Sequence, residues 1–349
     1  MNESIPPSDD EVSRLIVSLM RDVGLAFTST DFGNADVLRQ FERRGASLCR
    51  WAPPLFHHQS PIHFRYLARD EINAVCGSGI IDFVAVSYGT VPVLWRTFLR
   101  MLCHPSVFPE VGNASLESHV VEQGIIPTRI KDIDWRVDGN QQVPKCPVRA
   151  AFASLLASAA FDWLVGHEIG HIVRGHFLLE SEVQAKGFRL RFEFAMGERG
   201  NGLTSQVLEN DADAAAALLT IHGAFDRRDQ LSSGIKFGED STHEAAVIGF
   251  GTSQRGIETT TFAVWTLLRL MEQTSEAPLE SRSHPPLPIR RELFATSTYA
   301  FLKIPSSPIP IDQVHPIIVK AVSAADQALH QMALCPFVWN LTSHPMSGD

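Results

Sequence analysis

The chain has 349 residues, enough for one large domain or two ordinary ones, and 44% hydrophobic content suits a globular protein with a sizeable core rather than a disordered one. A formal charge of −9, with no Lys/Arg block longer than two residues, argues against nucleic acid or an anionic membrane as the main partner. Five cysteines, odd in number and without a CxxC pair, point to a reducing, cytoplasmic setting and away from a cysteine zinc knuckle.

The first ten residues, MNESIPPSDD, have neither a basic start nor an apolar run, and read as a solvated tail rather than a secretory signal. A capping box at Ser8 to Glu11 then opens an amphipathic helix through Val12, Leu15, Ile16, Leu19, Met20 and Val23, ending at Gly24. A second helix is expected over 35–44 with Gly45 as its stop, followed by a Pro- and His-containing loop. Periodicity does not separate helix from strand over 78–103, where β-branched and aromatic residues mix with Leu and Trp; the reading leans to helix, broken near Gly89 and Pro92. Partial alternation over 130–137 suits a half-buried strand.

Pro147 opens a stretch rich in Ala and Leu with no internal proline, so one long helix is expected to run through GHEIGHIVRGH, residues 166–176. Residues 188–194, FRLRFEF, alternate strictly and read as a strand that serves as a substrate-binding edge, as a lid, or as a buried member of a sheet. A helix over 205–221 with Gly223 as its stop carries ENDAD. Helices around 242–250 and 257–271, a Pro/Ser linker, the segment IRRELFATSTYAFL and a final helix over 312–332 complete the chain. The apolar windows 74–95 and 150–173 are interrupted by Asp82 and Asp162, so no membrane span is expected. The fold class is therefore mainly α, in the α+β sense, with a small sheet.

On a helix, residues four apart lie on one face, so His167 and His171 can both aim an imidazole at one metal ion, with Glu168 beside them. Neutral imidazole suits Zn²⁺, and a catalytic zinc keeps three protein ligands plus a water of pKa about 7. Glu168 is then placed to take that water's proton and deliver it to a leaving amine. A chance cluster on a solvated face fits poorly, because the rest of the helix is apolar and burying such residues without partners is costly. Glu209 is the expected third ligand, although Asp211 and Asp213 are also within reach, and Asp213, one turn on, is the expected hydrogen-bond acceptor behind a liganding histidine. His176, five residues past His171, lies off that face and reads as structural. No GxSxG nucleophile signature is present, and VCGSGI lacks the flanks of a phosphate loop.

HEIGHIVRGH followed by ENDAD resembles the HExxHxxxxH and ExxAD pair of gluzincin metallopeptidases of the HtpX and CAAX prenyl protease type, and SHPPLPIRREL resembles that family's third segment, with His284 and Arg290 at the family spacing. The resemblance covers about residues 160–295, and its usual transmembrane helices have no counterpart here. It implies a zincin-like core, zinc as cofactor, a protein or peptide substrate, and His284 and Arg290 beside the metal, where either could stabilise an oxyanion. By size and motif position the chain is also similar to the phage-exclusion Lit peptidases, which act on elongation factor Tu. The organisation expected is a tail over 1–10, an N-terminal substrate or regulatory region over 11–146, a zinc metallopeptidase core over 147–301, and a C-terminal helix and tail over 302–349. Two other expectations stand beside a constitutive endopeptidase: a binding or regulatory protein on a peptidase scaffold with structural zinc, and an enzyme held inactive until a partner or trigger opens its cleft.

Overall fold

The computed structural model describes residues 11, 14, 16, 18, 36–79, 81–117, 143–178, 189–192, 202–274, 285–302 and 309–331. Helices dominate them: α1 (Asp36–Trp51), α2 (Thr90–Leu102), α3 (Pro147–Val173), α4 (Gly202–Ser232), α5 (Asp240–Phe250), α6 (Ser253–Thr274), α7 (Leu287–Leu302) and α8 (Ile311–Gln331). Strands β1 (Ile62–Leu67), β2 (Ala74–Ser78), β3 (Asp82–Ser87) and β4 (Arg189–Phe192) form one sheet in the order β1-β3-β2-β4. β1 and β3 run parallel, whereas β2 is antiparallel to both β3 and β4. The protein is thus mainly α with a small sheet, as the sequence implied. Of the N-terminal helix, Glu11, Arg14, Ile16 and Ser18 are described and are helical. The strand expected over 130–137 lies outside the described residues, as do residues 188, 193 and 194 at the ends of FRLRFEF.

Helix α3 organises the fold. Its sequence is apolar on every side, which marks a helix surrounded by protein, and Phe152, Leu156, Phe161, Trp163, Leu164, Val165 and Ile169 are all buried. It packs against α1, α2, α4, α5, α6, β2 and β3. The buried side chains form one contiguous cluster that runs from Leu38 on α1 to Leu329 on α8, across residue 146. Among the described residues α3 is also the one helix long and apolar enough to cross a membrane, and most of its apolar stretch is buried inside the protein. At its start, buried Arg149 donates to the carbonyls of Leu102, His104, Val107, Phe108 and Val111, tying the loop after α2 to α3.

Several expectations change on contact with tertiary structure. The stretch 82–87 is strand, not helix, and helix begins only after Gly89. All six residues of β3 are buried, so the alternation that betrays a half-exposed strand is missing. Pro92 breaks nothing: it is the third residue of α2, where a helical N–H has no intrahelical acceptor. Gly45 does not end α1 either. A Cβ there would lie 2.5 Å from the Phe64 ring, so the residue lets β1 pack onto the helix. Gly223 sits inside α4, which continues to Ser232 and is followed by Gly234 at φ 79°.

The approach of α3 to α4 positions everything that follows. A Cβ at Gly170 would lie 3.0 Å from the Ala215 Cβ and 3.1 Å from the Ala212 Cα, and one at Gly166 would lie 3.3 Å from the Ala216 Cα. Glycine facing alanine lets the two backbones come close. Gly170→Val is therefore expected to lower unfolding stability by about 1–3 kcal/mol through overpacking. Gly223→Ala, with open space around the new methyl, is expected to raise it by up to about 1 kcal/mol through helix propensity. Urea titrations of the two variants check the contrast, and a Gly170→Val protein as stable as wild type would refute the close-packing account.

Candidate metal centre

Of the two apposed helices, one carries a histidine pair one turn apart, His167 and His171 on α3, and the other an acidic pair, Glu209 and Asp213 on α4. All four side chains are buried, as is Glu168 on the same turn of α3 as His167. The His167 Nε2 lies 3.0 Å from the His171 Nε2 and 3.1 Å from the Glu209 Oε2, and the third side, from His171 Nε2 to Glu209 Oε2, is 3.6 Å. A point in the plane of that triangle about 1.9 Å from all three atoms approaches the Zn–N and Zn–O bond lengths of about 2.0–2.2 Å. His167, His171 and Glu209 are a buried group that can hold a metal ion, the one such group among the described residues.

Hydrogen-bond accounting leads to the same place. The His167 Nδ1 is 2.9 Å from the Asp213 Oδ1. An ionised carboxylate only accepts, so this nitrogen carries the proton. A neutral His167 then turns its Nε2 lone pair toward the Glu209 carboxylate and the second imidazole. Acceptors facing acceptors in a buried site repel one another, and a cation among them reverses the sign.

Asp213 and Arg290 form the layer behind His167. The Arg290 Nε and one terminal nitrogen donate to the two Asp213 oxygens, each at 2.7 Å. The guanidinium lies 5.1 Å from the Trp163 ring centroid, and that ring in turn is 5.4 Å from the His167 ring. Burial pushes the Asp213 carboxyl upward, but the charge of Arg290, together with hydrogen bonds from His167 and Arg290, outweighs it and holds the group below its ordinary value of 3.8. Asp213 is therefore the hydrogen-bond acceptor on His167, one of the two histidines that could hold a metal ion. Arg290 reaches the site through Asp213, on the Nδ1 side of His167, rather than from the side where the candidate ligand atoms converge. His284 lies outside the described residues.

The remaining acid of ENDAD, Asp211, points elsewhere: its Oδ2 is 3.0 Å from the His176 Nε2. His176 in turn is buried, with its Nδ1 2.7 Å from the His171 Nδ1. The sequence reading of His176 as structural missed this contact, because it continued the helical face past residue 173. The available signal was Gly175. At φ 68° it reverses the chain after α3 and returns His176 toward the last helical turn.

Among the described residues β4 is the edge of the sheet beside β2, pairing Val75 with Phe192 and Ser78 with Arg189. VCGSGI contributes Val75 to Ser78 to β2, so those residues are strand rather than a phosphate-cradling loop. Comparison with known proteins finds no matching family model, no matching curated protein and no matching solved structure.

Arg290→Ala leaves the Asp213 carboxylate buried without its ion pair and is expected to cost about 3–5 kcal/mol at neutral pH. In the wild type the depressed pKa makes Asp213 stabilising above 3.8, and that contribution is lost as the pH falls through the folded value. Without Arg290 the largest opposing contribution to burial is gone, so the Asp213 pKa is expected to rise and protonation to relieve part of the penalty. The deficit of the variant should shrink between neutral pH and about pH 4. Denaturant unfolding of the metal-free proteins at both pH values tests this, and a deficit that grows on acidification contradicts it.

Proposed function

We propose that this chain is a zinc-dependent endopeptidase of gluzincin type acting on a protein or peptide substrate. The observation that carries the reading is the convergence of His167 Nε2, His171 Nε2 and Glu209 Oε2 within 3.0–3.6 Å of one another on two buried helices, with Glu168 on the same helical turn as the first ligand. Two imidazoles and one carboxylate suit zinc by donor type and number, and three protein ligands leave a fourth position open for chemistry. A purely structural zinc site is closed by four ligands and has no use for an adjacent acid.

Zinc, when bound, supplies Lewis acidity that polarises a carbonyl and brings a water's pKa to about 7. The chain's own residues do the rest. His167, His171 and Glu209 hold the ion. Glu168 accepts the proton of the attacking water and returns it to the leaving amine, so it begins as a base and ends as an acid. Asp213, clamped by Arg290, keeps the proton of His167 on Nδ1 and leaves Nε2 for the metal. β4 has β2 as its strand neighbour among the described residues, and an extended substrate added along its other side would be held by main-chain hydrogen bonds with little demand on side-chain identity.

Wild-type protein is expected to copurify with about one zinc per chain, and Glu168→Gln to keep that zinc while losing roughly 10²–10⁴-fold in peptide hydrolysis. Metal analysis together with a comparison of new N-terminal peptides in cells expressing each form measures both. A Glu168→Gln protein with zinc and full activity would disprove the assigned chemistry.

A further inference from the structure

We infer that His176, oriented by Asp211, is a positioning residue for the ligand His171, fixing its tautomer and ring angle for metal binding. The inference rests on the metal-centre reading and adds to it a support for the second histidine, built from His176 and the middle acid of ENDAD. The two Nδ1 atoms, on His171 and His176, are 2.7 Å apart, a distance that requires a hydrogen atom on one of them and a lone pair on the other. His171 ligates through Nε2, the atom that faces His167 and Glu209, so in neutral form it carries its proton on Nδ1 and donates. His176 must then accept at Nδ1, which leaves its own proton on Nε2. That nitrogen lies 3.0 Å from the Asp211 Oδ2, an acceptor. The tautomers of both rings are fixed by this chain, read from the metal outward.

The backbone is built to deliver the contact. α3 ends at Val173, Gly175 adopts φ 68°, and a short 3-10 turn over His176–Leu178 follows, with Phe177 buried as its anchor. His176 is 2% exposed although it lies beyond the helix. Both of its nitrogens are engaged, one with His171 and one with Asp211, so it is not itself a fourth ligand. Asp211 is 44% exposed, with its other oxygen 3.8 Å from the Arg174 Nε, and Arg174 lies over the Phe56 ring at 5.2 Å. The two ligand histidines are therefore backed differently, His167 by a buried ion pair and His171 by a second imidazole that leads to a half-exposed carboxylate.

The test is zinc affinity of the full-length protein, stripped of metal and titrated against a competing chromophoric chelator, with the cobalt(II) absorption spectrum as a report on ligand geometry. His176→Phe keeps a ring but removes the acceptor, and is expected to weaken zinc binding by about 10–100-fold. His176→Asn, whose side-chain oxygen falls near the position of Nδ1, is expected to restore most of that loss, which a role in packing alone would not allow. Asp211→Leu should weaken binding in the same direction and Asp211→Asn, still an acceptor, should not. The Asp211 pair, at a half-exposed position, carries the test if His176→Phe does not fold. Wild-type protein that binds neither zinc nor cobalt overturns the metal centre and this inference together. Wild type that binds while His176→Phe matches it, or while Asn is no better than Phe, overturns the inference alone.

Discussion

The structure depends on how closely α3 and α4 approach. Gly166 and Gly170 face Ala212, Ala215 and Ala216, and interaxial distance is set by the side chains at the contact. Short side chains there bring the histidine pair of one helix within hydrogen-bond reach of the acidic pair of the other. Any larger residue at Gly170 meets the Ala212 backbone, which cannot rotate away. One turn before Gly166, Asp162 adds an ionic clasp to the same interface, accepting from Arg44 of α1 and Arg227 of α4. Burial raises the Asp162 pKa and Arg44 opposes that rise, so the two helices that carry these cations are tied to α3 at the level of its deepest turn.

Close approach creates an electrostatic problem that the surrounding residues solve in layers. Burying two imidazoles and two carboxylates is costly unless each polar atom finds a partner. Asp213 is neutralised by Arg290, whose guanidinium is shielded by Trp163. That pairing leaves His167 with a defined donor side and a defined lone-pair side. What remains at the centre is His167, His171 and Glu209, a buried group that could hold a metal ion. The positioning layer supports the inner one: Arg290 neutralises Asp213, and Asp213 accepts from the His167 Nδ1.

What could be read from the sequence was what local spacing encodes. HExxH and ENDAD are each four-residue intervals on one helix, so their faces were legible before any tertiary contact was known, and Glu209 and Asp213 meet the histidines in the order those intervals imply. Arg290 entered only by resemblance, and its contact with Asp213 depends on how α7 meets α4, which no local pattern records. Glycine was the least legible residue. Gly45 and Gly223 read as helix stops, whereas one makes room for Phe64 and the other has space around it, and Gly175, which does reverse the chain, went unused. β3 was opaque because full burial removes the alternation that marks a strand.

The two candidate ligand histidines also differ in what the protein can exert through them. An ion pair with both members nearly buried resists loosening, because separating it would leave an uncompensated charge in a low-dielectric interior. A pair as open to water as Arg174 and Asp211, each more than 40% exposed, has little intrinsic strength. His176 stands between these regimes, fully enclosed on its His171 side and joined to a solvent-facing carboxylate on the other. Through Arg174 that carboxylate sits against Phe56, in the turn that follows α1. The N-terminal part of the chain therefore touches the His171 side of the site, whereas helix α7, late in the sequence, supplies the clamp on the His167 side, and the two candidate ligands report to different halves of the sequence.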